Sequence, residues 1–158
     1  MLELEKPWRS LEEYRKTRLL EARYEAELAR RFLEEGLVRN AAGKAFQAWK
    51  ALLAAELTRH VEELEKEFQG TVTIREGKRV KKAHWILSIV PAAMLKRLSQ
   101  IAGDEFVVLT ALALQLHQFQ YNGPDKEGVL SPYRSEEEAR RDVELLLRRI
   151  GQMLGDGA

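Results

Sequence analysis

The sequence contains no cysteine. That absence excludes disulfides, thiolate nucleophiles and every zinc site built on sulfur. Histidine is almost as scarce, with His60, His84 and His117 scattered along 158 residues, so a structural zinc centre is not expected. Net charge is small: 26 basic residues against 25 acidic ones leave +1. This balance argues against a tail or domain given over to nucleic acid, though it leaves room for a local patch. Long apolar runs are missing too. The longest, "FVVLTALALQL" from Phe106, falls far short of the ~20 residues that span a bilayer. The opening "MLELEKPWRS" is charged and lacks the apolar centre of a signal peptide, so a soluble, cytoplasmic chain without membrane contact is expected. Phosphate loop, dinucleotide glycine fingerprint, nucleophile elbow and His-Glu-x-x-His are all missing, and no metal or cofactor is expected.

What is present is a helical pattern. The length suits a single domain over residues 1–158, which would bury about 68–70% of the surface its unfolded chain exposes. Dense Arg, Glu, Leu and Ala resemble a thermophile's composition. Ser10 with Glu13 forms a capping-box pattern, because each side chain can satisfy a free backbone N–H at a helix start. Leu19, Ala22, Ala26, Ala29 and Leu33 then recur at three- and four-residue steps, predicting a helix over 10–35 that stops at Gly36. Asn40 is placed to cap a second helix over 40–69, with Gly70 as its stop. The short connection between the two forces an antiparallel hairpin. "NAAGKAFQAWKALLAAELTRH" sets small residues among Phe46, Trp49, Leu52 and Leu53, as a helix does when neighbouring backbones approach closely. Gly43 costs about 1 kcal/mol of helix propensity relative to Ala, which close approach would explain.

Residues 71–85 break the pattern and read as a short basic hairpin or loop. Further helices are predicted over 91–102, over 104–121 and from the second capping box, Ser135 with Glu138, to Leu154. The 104–121 helix is apolar enough to be buried nearly all round. "NGPDKEGVLSPY" is a loop on every turn criterion, and the tail 155–158 is expected to fray. The fold class is all-α, a bundle of about five helices built on a long antiparallel pair.

Two groups of residues could carry function. Arg75, Lys78, Arg79, Lys81 and Lys82 crowd into one segment beside Trp85, the combination that suits phosphate contact with base stacking; on a hairpin edge the same lysines also discourage sheet aggregation. His117, near the end of a buried helix, could act as general acid or base, since its pKa lies nearest neutrality. His60 falls in line with Leu53, Leu57 and Leu64 and reads as the polar edge of a helix, paired with Glu56. Apolar surface beyond what one bundle hides predicts a homodimer.

The segments "NAAGKAFQAWKALLAA", "LALQLHQFQYNGPD" and "SEEEARRDVELLLRRI" resemble the archaeal PaREP proteins of the first type, which are grouped with the HEPN helical domains. The resemblance runs from about Leu11 to Ile150, apart from the basic segment. It implies a HEPN-like bundle, usually homodimeric, binding RNA, nucleotides or a protein partner. Many HEPN members are metal-independent ribonucleases in which a His acts on the ribose and an Arg a few residues upstream stabilises phosphate charge. His117 is the matching histidine, but Thr110, Ala111 and Leu112 stand where that Arg would be. His84 does follow Arg79 by five positions. His117, Tyr121, His84 and Arg79 are thus the candidate catalytic residues, with Asn122 and Asp125 beside His117 in a polar cluster. A binding or assembly module without cleavage is the favoured expectation, an endoribonuclease the alternative.

Overall fold

Ser10 opens the first helix by accepting a hydrogen bond from the Glu13 N–H at 3.2 Å, and α1 runs Leu11–Glu34. The structure is a computed structural model and describes residues 5–155. The expected fraying of the tail lies outside the described residues from 156 onward. Gly36, at φ 78°, reverses the chain while the Leu37 N–H bonds to the Phe32 carbonyl at 2.8 Å. This left-handed position is one that only glycine takes without steric cost. Helix α2, Val38–Leu57, then returns antiparallel along α1. Its cap is Leu37, without a side-chain hydrogen bond; Asn40 lies within the first turn and is exposed, so the capping role expected of it is corrected.

Fourteen of the twenty residues of α2 are buried, which makes this helix the axis of the bundle. Helix α1 packs against it, as do α4 (Lys82–Ile89), α5 (Leu95–Ala102), α6 (Asp104–Asn122) and α7 (Glu136–Leu154). An axial helix has neighbours on several sides at once, and alanine on those sides lets each of them approach. Phe46, Trp49, Leu52 and Leu53 fill the spaces left between the approaching helices. Trp49 satisfies its buried indole N–H on Thr110 Oγ1 at 2.8 Å.

The second helix is shorter than 40–69. A 3₁₀ turn, Thr58–His60, interrupts it where Thr58 Oγ1 donates back to the Ala55 carbonyl at 2.7 Å, and α3 resumes over Val61–Glu67. His60 faces Glu56 at 3.8 Å and Glu63 at 3.4 Å, the polar edge its spacing predicts. Strands β1, Thr71–Thr73, and β2, Arg79–Lys81, pair antiparallel with Val72 opposite Val80. The hairpin therefore ends at Lys81 rather than at 85. Lys82 begins α4, Lys82–Ile89, a helix absent from the sequence reading.

Helix α4 ends on Val90, a buried valine at φ 46°. Left-handed backbone costs a β-branched residue roughly 1–2 kcal/mol, and the surroundings hold it there. Tyr14 Oη donates to the Leu87 carbonyl at 2.6 Å and Arg18 to the Ser88 carbonyl at 2.9 Å, so α1 closes the open end of α4. Beyond it lie α5, Leu95–Ala102, α6, Asp104–Asn122, and α7, Glu136–Leu154, whose cap Ser135 accepts from the Glu138 N–H at 3.2 Å. Helix α6 is not buried all round. Val108, Ala111, Gln115, Gln118 and Tyr121 form an outward strip, while Leu109, Ala113, Leu116 and Phe119 face the core. The all-round burial expected of α6 belongs to α2.

Candidate functional site

The basic segment is only partly available to a ligand. Arg79 donates across the hairpin to Thr71 Oγ1 at 2.7 Å, and Lys81 pairs with Glu65 of α3. Arg75, Lys78 and Lys82 are exposed and without partners among the described residues. Trp85 sits on α4 and packs half-buried against the core, which limits the ring face open to a base. His84, also on α4, is pushed below the ordinary histidine range mainly by burial, with Glu65 opposing and Lys81 adding to the shift. Its electrostatic neighbours are thus Glu65 and Lys81. Arg79, the residue at motif spacing, is engaged with Thr71.

The second group lies beside a groove whose floor is a partly open edge of α2. Asn40, Lys44 and Gln47 line it, with Glu25 and Phe32 of α1 on one side and Gln120 of α6 on the other, and Lys50 follows about one turn beyond Gln47. His117 of α6 stacks on Phe46 of α2, with ring centroids 4.1 Å apart, and meets Tyr121 edge-on at 5.1 Å. Its Nδ1 is enclosed, with no hydrogen bond of acceptable geometry among the described residues. Burial is the largest influence on the ring and holds its pKa below the ordinary value; Gln120 favours the charged form and Lys50 disfavours it. Gln120 Oε1 is likewise enclosed without a hydrogen bond of acceptable geometry. Lys50 is itself lowered, first by burial and then by Arg18, with Glu21 opposing.

Arg18 extends this seam inward. It is buried and donates to Tyr14 Oη at 2.7 Å and Glu21 Oε1 at 2.6 Å, besides the Ser88 carbonyl. At the other end of the groove Glu25 pairs with Lys44 at 3.1 Å, an ion-pair distance without hydrogen-bond geometry. Gly43 belongs to this end for a steric reason. A Cβ there would stand 2.6 Å from Gln120 Nε2, so the Gln120 side chain crosses α2 only because position 43 is glycine.

Asn122 and Asp125 do not share the His117 surroundings in function. The Asp125 carboxylate accepts the N–H groups of Glu127, Val129 and Leu130 at 3.0, 3.0 and 2.7 Å, which holds its pKa below the usual range. Asn122 donates to the Leu130 carbonyl at 2.9 Å. Together they shape the loop between α6 and α7. Tyr121 is exposed and remains at the groove.

Chemically, the groove has beside it a histidine and a lysine whose pKa values burial lowers, with spare hydrogen-bonding capacity nearby. The sequence reading singles out His117 and Tyr121 but misses Lys50, Gln120, Glu25 and Lys44, because they lie on three helices whose mutual rotation is not written locally. One signal was available. Lys44, Gln47 and Lys50 recur at three-residue steps on a helix otherwise almost free of polar residues. Among the described residues no group of His, Asp and Glu is arranged to hold a metal ion, and no helix is long and apolar enough to cross a membrane. A model of the archaeal PaREP1/PaREP8 family matches residues 17–144. No curated protein and no solved structure matches the chain.

Proposed function

We propose, from the premise that the chain belongs to the archaeal PaREP1/PaREP8 family, that it is a binding module for a nucleotide or an RNA end, received in the groove beside His117. The observation that carries this reading is the pair His117 and Lys50. Burial lowers the pKa of both, and at Lys50 the opposing Glu21 does not outweigh it. A phosphate entering the groove adds negative charge, and its oxygens accept hydrogen bonds from both side chains. Tyr121, exposed at the rim, offers a ring face to a base. Arg75, Lys78 and Lys82, exposed on and beside the hairpin, add a second, electrostatic contact for a longer RNA.

One observation favours the alternative, a metal-independent endoribonuclease. The position upstream of His117 has no Arg, yet Lys50 brings a cation to the ring from α2. A neutral imidazole can take the ribose 2′-hydroxyl proton while an adjacent cation stabilises the phosphate. Against this, no arginine stands at the motif distances before His117, and burial lowers the pKa of Lys50. Binding without cleavage is therefore the function we infer.

Assembly is a homodimer in this reading. The alanine stripe of α2 is enclosed by the chain's own helices and offers no contact, so the surface for a second copy is Val108 on the outward strip of α6 together with Leu20 and Tyr24 of α1.

Calorimetric titration with nucleoside monophosphates and a short single-stranded RNA tests the reading, with a parallel RNA digestion in EDTA. Binding that weakens in Lys50→Ala and His117→Ala, without cleavage, is the expected result. EDTA-resistant cleavage leaving a 2′,3′-cyclic phosphate, lost in His117→Ala, would favour the ribonuclease instead. Binding lost only in Lys78→Ala with Lys82→Ala would move the site to the hairpin.

A further inference from the structure

We propose that the chain carries a second binding site, independent of the groove, for a small carboxylic acid with an apolar body. It lies toward the far end of α2, where Ala55 stands about 12 Å along the helix from Gln47. The early turns of α1 and α6 and the last turns of α2 and α7 surround a cleft of about 280 Å³ there. This is just under the ~300–1,000 Å³ typical of small-molecule sites, so the cleft suits a ligand smaller than a nucleotide. Leu52 and Ala55 form its buried floor, and Leu19, Phe106 and Met153 stand half-buried around it. Ala55 contributes only a methyl on a helix where Phe46, Trp49 and Leu53 fill the other gaps, and the space is what remains.

The charges at the rim select the head group. Four charged side chains stand there, Arg15, Glu56, Arg59 and Glu105. Both carboxylates have cations of their own. Glu105 pairs with Arg149 of α7, and Glu56 has Arg59 and His60 each at 3.8 Å. Arg15 is the exception. It is half-buried, and its guanidinium has neither ion pair nor hydrogen bond among the described residues. A guanidinium partly withdrawn from water is stabilised by an anion that accepts its fork of N–H donors, and a carboxylate does so with two parallel bonds. A neutral ligand over the floor would shield Arg15 further from water and offer less in return. A cationic ligand would meet Arg15 where both acids are already paired. A bare inorganic anion would leave the apolar floor uncovered. An apolar body with a carboxylate at one end satisfies floor and rim together.

The test is methyl nuclear magnetic resonance of the full chain, titrated with hydrocinnamate, its neutral amide and the cationic phenylpropylamine. Each is taken to about 10 mM, enough to detect a weak ligand of this size. Hydrocinnamate should move the Met153 methyl resonance and leave that of Met94 in place. It should bind about tenfold more tightly than the amide, the effect of one charge-assisted pairing. Arg15→Gln should bring hydrocinnamate down to the level of the amide, and Leu19→Trp, which narrows the cleft, should weaken both. Equal binding of acid and amide would remove Arg15 from the site and overturn the proposal. Tightest binding of the amine would do the same, since Glu56 and Glu105 would then govern the rim. A Met153 resonance that no ligand moves would mean the cleft is not a site. The wild-type order of the three ligands decides the matter even where a substitution perturbs folding, and none of these outcomes depends on the nucleotide reading.

Discussion

Replacing Arg18 by Met keeps the aliphatic stem and removes the guanidinium from the junction of α1 and α4. Arg18 is 6% exposed and donates three hydrogen bonds, to Tyr14 Oη, Glu21 Oε1 and the Ser88 carbonyl. Without them the Ser88 carbonyl loses its cap, and Glu21 loses its closest cation. Breaking a buried charge pair from one side costs about 3–5 kcal/mol. The Glu21 side chain is 26% exposed and so recovers some hydration, which places this case near 3 kcal/mol, at the low end of that range. With a urea slope of about 2 kcal/mol/M for a small protein, the unfolding midpoint should drop by about 1.5 M. Tyr14→Phe should cost about 1–3 kcal/mol, because it strips an acceptor from Arg18 and a donor from the Leu87 carbonyl. The two changes share one network, so the double variant should lose less than the sum. A midpoint for Arg18→Met within about 0.3 M of wild type, at a similar slope, would refute the reasoning: α4 would then hold its end, and Val90 its left-handed backbone, without this cap.

Ala45→Leu and Ala48→Leu should each destabilise by about 1–3 kcal/mol in urea melts, since both positions are fully enclosed on the axial helix and extra methylenes force strain; neutral behaviour would mean the neighbouring helices stand farther off. His84 and His117 are both held below the ordinary histidine range, so from about pH 6.5 downward the unfolded chain takes up protons that the folded chain refuses. Stability should therefore be complete above that pH and fall on acidification, with a lower urea midpoint at pH 5.5 than at pH 7.5 and a flatter profile in His84→Gln with His117→Gln. Sedimentation equilibrium at tens of micromolar (about the range in which modest interfaces assemble) should report a dimer that Leu20→Glu with Tyr24→Glu dissociates; a wild-type monomer would contradict the assembly reading.

Local chemistry made much of this architecture legible. Ser10 and Ser135 cap α1 and α7 where their spacing to Glu13 and Glu138 placed them, and Gly36 turns the chain between α1 and α2. Those signals act within a few residues, so they survive without knowledge of the fold. The Asn40 cap failed because Leu37 and Val38 already satisfy the helix geometry, leaving Asn40 to face the groove. Helix α4 was missed because its start follows a strand and its end is completed by Tyr14 and Arg18, which stand 73 and 70 positions away from the carbonyls they reach. The burial of α6 was overstated because apolar content does not say which neighbour covers it; α2 takes the centre, and Val108 is left outside. The groove was the least legible part. His117 could be picked out by residue type, but Lys50 and Glu25 reach its surroundings only through the packing of α1 and α6 on α2.

The central claim is that His117 and Lys50 receive the phosphate of a nucleotide, and the His117 ring itself reports on it. Nuclear magnetic resonance titration of the ring across pH, with and without GMP, measures the effect directly. Bound phosphate should raise the His117 pKa from its depressed value, and the increase should shrink in Lys50→Ala, where the ligand is held less firmly. An unchanged His117 titration at GMP concentrations that shift only the amides of the basic hairpin would contradict the groove as the binding site.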